Sequence, residues 1–441
     1  MIYKGIWMGC SGQTDWSYWK STLASRINET GAKAVLSAIQ GDGNTSAREE
    51  EIYDWLGSNS PGWLLVPRNR SSKKDNWNWR KVEEYVERTE PWEDLKPWVE
   101  ECVSYFSDLS RVSAYIIWHE NYSNRYDDWD INNPSPHLED VIEYFRTNWP
   151  GKDIILVGNL NEKWKGEEPP YKVVPDEVRK RAWKYDECIW VHDCYHWVGI
   201  ERDGEWEVKP EKEVRENLQK DWRAIADKRK ADQSDPDVNE AKWIHMYNST
   251  RDKNSGLALP PKEKDYWISA IGPVAHGAIG SAVYQFDWYE EVDGNNKWLS
   301  QDDMADRRSW VKNAFTRRDT IKGYPTGFEY HAEYSENAKD GNWIEFPSDW
   351  NHLKKIVTSG GNPLDFFDRV EVCKWDAPSS PAESYVVCNH DPDSPNKELD
   401  STFRHPCHVW IDNVDKGGPH TSYHISLGPG NAFVLRLTPW G

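Results

Sequence analysis

Eight short apolar runs alternate with helix-like segments through the first 323 residues, and this alternation restricts the fold more than any other feature. The runs cover residues 3–8, 32–39, 63–66, 112–121, 153–157, 188–191, 241–246 and 280–286. A short apolar run with no helical stripe reads as a strand buried on both faces. Strands of that kind separated by helices are joined in parallel, and eight such repeats in this length predict a (β/α)8 TIM barrel. An open doubly wound sheet is the competing arrangement. It usually carries a glycine-rich phosphate turn after an early strand, and neither G-x-G-x-x-G nor a P-loop occurs here.

The texture changes after Gly323-Tyr324-Pro325. Strand-like runs at 369–374, 384–388, 408–411, 423–427 and 432–437 are separated by Pro, Gly, Asp and Asn turns. That spacing predicts a smaller all-β sandwich. The expected organisation is a barrel domain over 1–323 and a β-sandwich domain over 324–441.

Lys and Arg number 54 and Asp and Glu 74, a net charge of −20. So negative a surface repels phosphate backbones and anionic membranes, which argues against nucleic acid or membrane as a partner. The chain has 28 Trp but only 10 Phe. Phe fills a core as well as Trp does, so packing alone does not account for the preference. Trp adds a flat face and one N–H donor, a combination that suits the C–H faces and hydroxyl rims of sugars. Seven cysteines show neither C-x-x-C pairing nor zinc-type spacing and read as small buried residues. The opening MIYKGIWMGC lacks the apolar run of a signal peptide, and no segment approaches a membrane span, so a soluble protein is expected.

Two motifs carry a resemblance. Ala275-His276-Gly277-Ala278-Ile279-Gly280, followed by Tyr284, Phe286 and Trp288, resembles the last barrel repeat of many glycoside hydrolases. The fourth run, VSAYIIWHEN, ends in Trp118-His119-Glu120-Asn121, similar to the place where those enzymes carry an acid/base glutamate. The trailing β domain is similar to their accessory domain. The resemblance implies a carbohydrate substrate. It also implies a nucleophilic Glu after strand seven in retaining members, whereas residues 243–250 (WIHMYNST) contain no carboxylate.

Residues just past the C-terminal ends of barrel strands face the active-site mouth. Cleaving a glycosidic bond needs one protonated and one ionised carboxyl there. Glu120, Asp193 and Asp287 are the candidate catalytic residues. Glu120 is the expected general acid, because an apolar surround favours a protonated carboxyl. Asp193 or Asp287 is the expected base. Strands four and eight lie opposite and strands four and six lie two apart, separations that favour inversion. Trp7, Trp16, Trp118, Tyr195, Trp197 and Trp288 are candidate sugar platforms. Arg68, His119, Asn121, Asn159, His192, His245, Tyr247 and Asn248 are candidate hydrogen-bonding contacts.

No cofactor and no metal are expected. His192-Asp193-x-x-His196 is not a metal signature, and His119-Glu120 is not followed by the second His of H-E-x-x-H. Asp391, Asp393, Asn396 and Glu398 read as a polar turn and not as a calcium loop. The alternatives to hydrolysis are a barrel that binds glycan without cleaving it, which the carboxylate-free strand seven favours, and a metal-assisted lyase using the histidines. Reducing-sugar release separates the first two, and sensitivity to a chelator marks the third.

Overall fold

The computed structural model describes residues 3–8, 29–32, 34–37, 63–65, 68–70, 79–104, 112–119, 135–161, 173–193, 200–202, 205–207, 211–248, 263–284, 289–292, 295–298, 301–320, 329–336, 343–359, 370–376, 380–391 and 393–441. Two compact units emerge. One comprises 1–208, 231–260 and 279–309; the other comprises 209–230, 261–278 and 310–441.

Among the described residues of the first unit, eight parallel strands form a closed ring. They are β1 (Tyr3–Met8), β2 (Ala34–Ser37), β3 (Trp63–Leu65), β4 (Val112–His119), β5 (Asp153–Gly158), β6 (Cys188–Asp193), β7 (Lys242–Asn248) and β8 (Gly280–Tyr284). Each pairs with the next in the chain, and β1 closes on β8 from Tyr3↔Gly280 to Ile6↔Val283. The architecture is a TIM-barrel-like α/β unit. Alternate residues of five strands pack into one cluster: Ala114, Ile116, Ile155, Val157, Ile189, Val191, Ile244, Met246 and Ala282. Successive strand residues point to opposite faces, so this cluster is the inner row of the barrel wall.

Strand β4 breaks the alternation once. Ile116 pairs with Ile155 but Trp118 pairs with Leu156, leaving Ile117 as an extra residue. A one-residue bulge exchanges the two faces beyond it. His119 therefore comes into register with Val157 of the inner row, and Trp118 falls on the outer side.

Between strands β4 and β5 runs the helix Leu138–Asn148, which buries Leu138, Val141, Ile142 and Phe145. The i, i+3, i+4, i+7 spacing makes that face apolar, and Glu139 and Asp140 in the first turn with Arg146 in the last complement the helix dipole. Its Phe145 ring lies 4.8 Å from that of Tyr115. The helix Trp92–Ser104 runs through Pro97. Among the described residues no helix is long and apolar enough to cross a membrane.

The second unit holds an antiparallel sheet. Its strands are β9 (Glu329–Glu336), β10 (Trp343–Glu345), β11 (Leu353–Ser359), β12 (Val370–Asp376), β13 (Glu383–Asn389), β14 (Lys397–Ile411), β15 (Val414–Asp415), β16 (His420–Leu427) and β17 (Ala432–Pro439). The order is β9-β12-β13-β17-β14-β11-β10, with β15 and β16 also on β14. The long β14 serves two sets of neighbours. Its first half pairs with β11 and β16, its second half with β17 and β15, and its register with β16 shifts between Thr402 and Cys407. Ile344, Trp350, Val372, Tyr385, Leu399, Val409 and Leu435 share one core.

Two helices that precede β7 and β8 in the chain belong to this unit over 209–230 and 261–278. They are Glu211–Gln233 and Glu263–Ala275, whose Ala226, Ile271 and Ala275 pack with Cys373, Val386, Cys388 and Val434. Beside that contact Glu371 is fully buried. It accepts from Arg223 Nε at 2.5 Å, Gln219 Nε2 at 3.1 Å and His390 Nε2 at 2.6 Å, and it lies 3.3 Å from His276 Nε2. Burial alone would raise the Glu371 pKa, but the Arg223 and His276 charges and these hydrogen bonds hold it well below the usual carboxylate range. Asp393 is bonded at 2.9 Å to both Arg215 and Lys264, and its N–H donates to Asp391 Oδ1. The segment expected as a polar turn thus has ion pairs fastening it.

Candidate active site at the barrel mouth

Strand β6 reads Cys-Ile-Trp-Val-His-Asp, and all six residues are buried. Ile189 and Val191 belong to the inner row. Two residues on, Asp193 continues that row at the C-terminal end of the strand, opposite Met246 of β7. It is 8% exposed. A carboxylate is expensive to bury without a task or compensation, and this one stands where barrel enzymes place reacting groups.

The exit of β5 is shaped by its own side chains. Asn159 Oδ1 accepts the Asn161 N–H at 3.0 Å, a local turn that Asn and Asp make readily. Both residues are buried. Asn159 O also accepts the Val174 N–H at 2.9 Å, fastening the approach to helix Asp176–Trp183. Asn161 joins Asn159 at the mouth although sequence reasoning passed over it. The Asn-x-Asn repeat right after an apolar run was the available signal.

Three expected sugar contacts lie on the other face of the wall. His192 and His245 are paired in register, alternate with the inner residues of their strands, and are fully buried. Their rings stack at 5.6 Å, and Tyr247 lies 6.0 Å beyond His245. The Leu160 N–H donates to His192 Nδ1 at 3.1 Å, which leaves the proton of the neutral ring on Nε2. Strand phase is the reason: once 189, 191 and 193 point inward, 192 points outward. His192, His245 and Tyr247 thus build the wall and do not line the lumen.

Trp118 is likewise corrected. It is 2% exposed, its indole N–H donates to Glu87 Oε1 at 2.6 Å, and its ring meets Trp190 edge-on at 5.0 Å. A ring closed in this way offers no face to a sugar. Trp7, His119 and Asn248 are placed as positions in β1, β4 and β7. Arg68 begins a short strand, Arg68–Arg70, that pairs antiparallel with 79–81. Glu120, Asn121, Tyr195, Trp197, Asp287, Trp288 and Trp16 lie outside the described residues. Among the described residues, the His, Cys and carboxylate groups close enough to share a metal ion belong to the sheet unit.

A glycoside hydrolase of known structure superposes on the chain with a TM-score of 0.51 at 8% identity, covering 100% of this chain and 93% of the other. The chain shares the fold of that glycoside hydrolase. A glycoside hydrolase family 5 protein from Bacteroides vulgatus ATCC 8482 gives 0.46 at 10% identity, with 100% and 90% covered. An Anoxybacillus alpha-amylase gives 0.47 at 8%, with 100% and 98% covered. No protein-family model matches the chain, and no curated protein matches it. The first likeness is one of fold, and no specific family is singled out.

Proposed function

We propose that the chain is a glycoside hydrolase, a (β/α)8 barrel over 1–323 followed by a β-sandwich accessory domain, that cleaves a polysaccharide or oligosaccharide at the barrel mouth. The observation that carries this reading is Asp193, a buried carboxylate in the inner row at the C-terminal end of β6. Glu120 directly follows His119, the last residue of β4, at the end of the strand where barrel enzymes place reacting groups. Glu120 is the general acid that protonates the leaving oxygen. Asp193 is the base that activates water, with Asp287 beyond β8 as the alternative base. Trp16, Tyr195, Trp197 and Trp288 supply the sugar platforms.

Strands β4 and β6 are separated only by β5. Neighbouring strands lie about 4.8 Å apart, so their ends stand roughly 9–10 Å apart across the wall. That separation favours an inverting pair, whose carboxyls are about 6.5–9.5 Å apart, over a retaining one at about 5–5.5 Å. Proton NMR of the first-formed anomer tests this point. Inversion is expected, and net retention would require a nucleophile other than these.

A second reading, glycan binding without cleavage, is favoured by β7, which ends in Asn248 and brings no carboxylate to the mouth. Reducing-sugar release over a panel of plant, fungal and bacterial glycans separates the two. Release by the wild-type protein supports hydrolysis. Binding to a glycan in that panel with no release supports the second reading.

A further inference from the structure

We propose that His352, His405 and Cys407 form a zinc-binding site at the bend of β14. One ligand atom from each of the three residues lies within 4.8 Å of the other two. The two nitrogens are 2.9 Å apart, with the rings perpendicular. Bonds of about 2.0–2.1 Å to nitrogen and about 2.3 Å to sulfur put ligand atoms of a tetrahedral zinc roughly 3–4 Å apart. Small side-chain rotations therefore close the set on one ion.

The sequence brings these residues together by strand geometry. Residues two apart on a strand share a face, which places His405 and Cys407 side by side around Pro406. His352 stands immediately before β11, whose Leu353 pairs with Phe403. The Arg404 N–H donates to His352 O at 2.9 Å, and the Arg404 guanidinium donates to the carbonyls of Phe346, Pro347 and Trp350 at 2.7–2.9 Å. The segment carrying His352 is thus clamped across the bend whether or not an ion is present.

The orientation of His352 is fixed as well. Its Nε2 lies 2.5 Å from the carbonyl oxygen of Pro381, which only accepts. Nε2 therefore carries the proton and Nδ1 presents its lone pair toward His405 Nε2. A backbone carbonyl on the far nitrogen is the usual support for a metal-binding imidazole. Two imidazoles and one thiol are a borderline-soft donor set that suits zinc, with a fourth position left for water. The other close triplet, His276, Glu371 and Cys373, has its carboxylate oxygens occupied by Arg223, Gln219 and His390.

Without an ion, the Cys407 thiol donates to His405 O at 3.3 Å and is buried. Binding forms the zinc–sulfur bond and breaks the S–H bond, with the proton released to solvent. His405 is only half-buried, so the ion enters from its side. The site then cross-links the 346–352 segment to the bend in β14, stabilising the native state by mass action.

Titration of the full-length protein, first stripped with a chelator, with Co2+ and then Zn2+ tests the proposal. One equivalent of Co2+ should give a thiolate-to-cobalt charge-transfer band and the intense visible bands of four-coordination. Zn2+ should displace it and raise the melting temperature. Cys407→Ser should lose the charge-transfer band while melting like the wild type in chelator. His405→Ala, altered at a half-buried position, should weaken binding by more than about 100-fold, beyond the loss expected for a mere supporting residue. A pale six-coordinate spectrum, a charge-transfer band that persists in Cys407→Ser, unchanged affinity in His405→Ala or no thermal shift with Zn2+ would each overturn it.

Discussion

The indole Nε1–H of Trp118 donates to Glu87 Oε1 at 2.6 Å, and the Ser135 hydroxyl donates to the same oxygen at 2.7 Å. The bulge at Ile117 makes this bond possible by turning Trp118 to the outer side of β4. One inserted residue thus takes Trp118 off the lumen side of the strand.

Trp118→Phe keeps the ring and removes the donor. Glu87 is buried and would lose the indole donor at Oε1. Stability should fall by about 1–3 kcal/mol, the cost of disturbing a buried hydrogen bond to a charged group. Denaturant unfolding checks this. Glycan affinity should stay at the wild-type level, which a true sugar platform would not allow.

Gly272 sits inside the helix Glu263–Ala275, and a Cβ built there would lie 2.0 Å from Cζ3 of the Trp222 ring. Helix propensity alone predicts that Gly272→Ala gains about 1 kcal/mol. Overpacking predicts a loss of about 1–3 kcal/mol or more. The contact is far inside van der Waals distance and Trp222 is fully buried, so the loss should win. Thermal unfolding of the variant gives the sign directly.

The Glu371 cluster sets a pH window for stability. Glu371 is held well below its ordinary 4.5, so its contribution is present above that value and is lost as pH falls through the lowered one. Burial opposes charge on His276, yet Glu371 and Cys373 hold it well above 6.5. Its contribution is therefore full below 6.5 and is lost as pH rises through the raised value. Both act together between 4.5 and 6.5. Urea midpoints of the wild type should be highest there. Glu371→Gln should lower stability at pH 6 by about 3–5 kcal/mol and flatten both flanks, because it removes the counter-charge from Arg223 and His276.

The barrel was legible because its inner strands announce themselves. Asp153–Gly158 and Cys188–Asp193 are buried almost throughout, so each reads as a continuous apolar run. Strands of the sheet unit were harder. Leu353–Ser359 reads Leu-Lys-Lys-Ile-Val-Thr-Ser, half exposed, and the first half of Lys397–Ile411 buries Lys397, Leu399, Ser401 and Phe403 between polar neighbours. Only the period of two marks such segments, and charged residues on both faces obscure it. Within the site, sequence located the strand ends but not their phase. Which of His192 and Asp193 points inward depends on register with β5 and β7, and a bulge like that at Ile117 leaves no trace in residue type.

The most direct test is the turnover of Asp193→Asn on whichever glycan the wild-type protein cleaves. The substitution preserves size and removes the charge at the end of β6. A loss of roughly 10²–10⁴-fold in kcat is expected, the contribution of a general base, with glycan binding and melting temperature close to wild type. Turnover at the wild-type rate would contradict it and take Asp193 out of the chemistry.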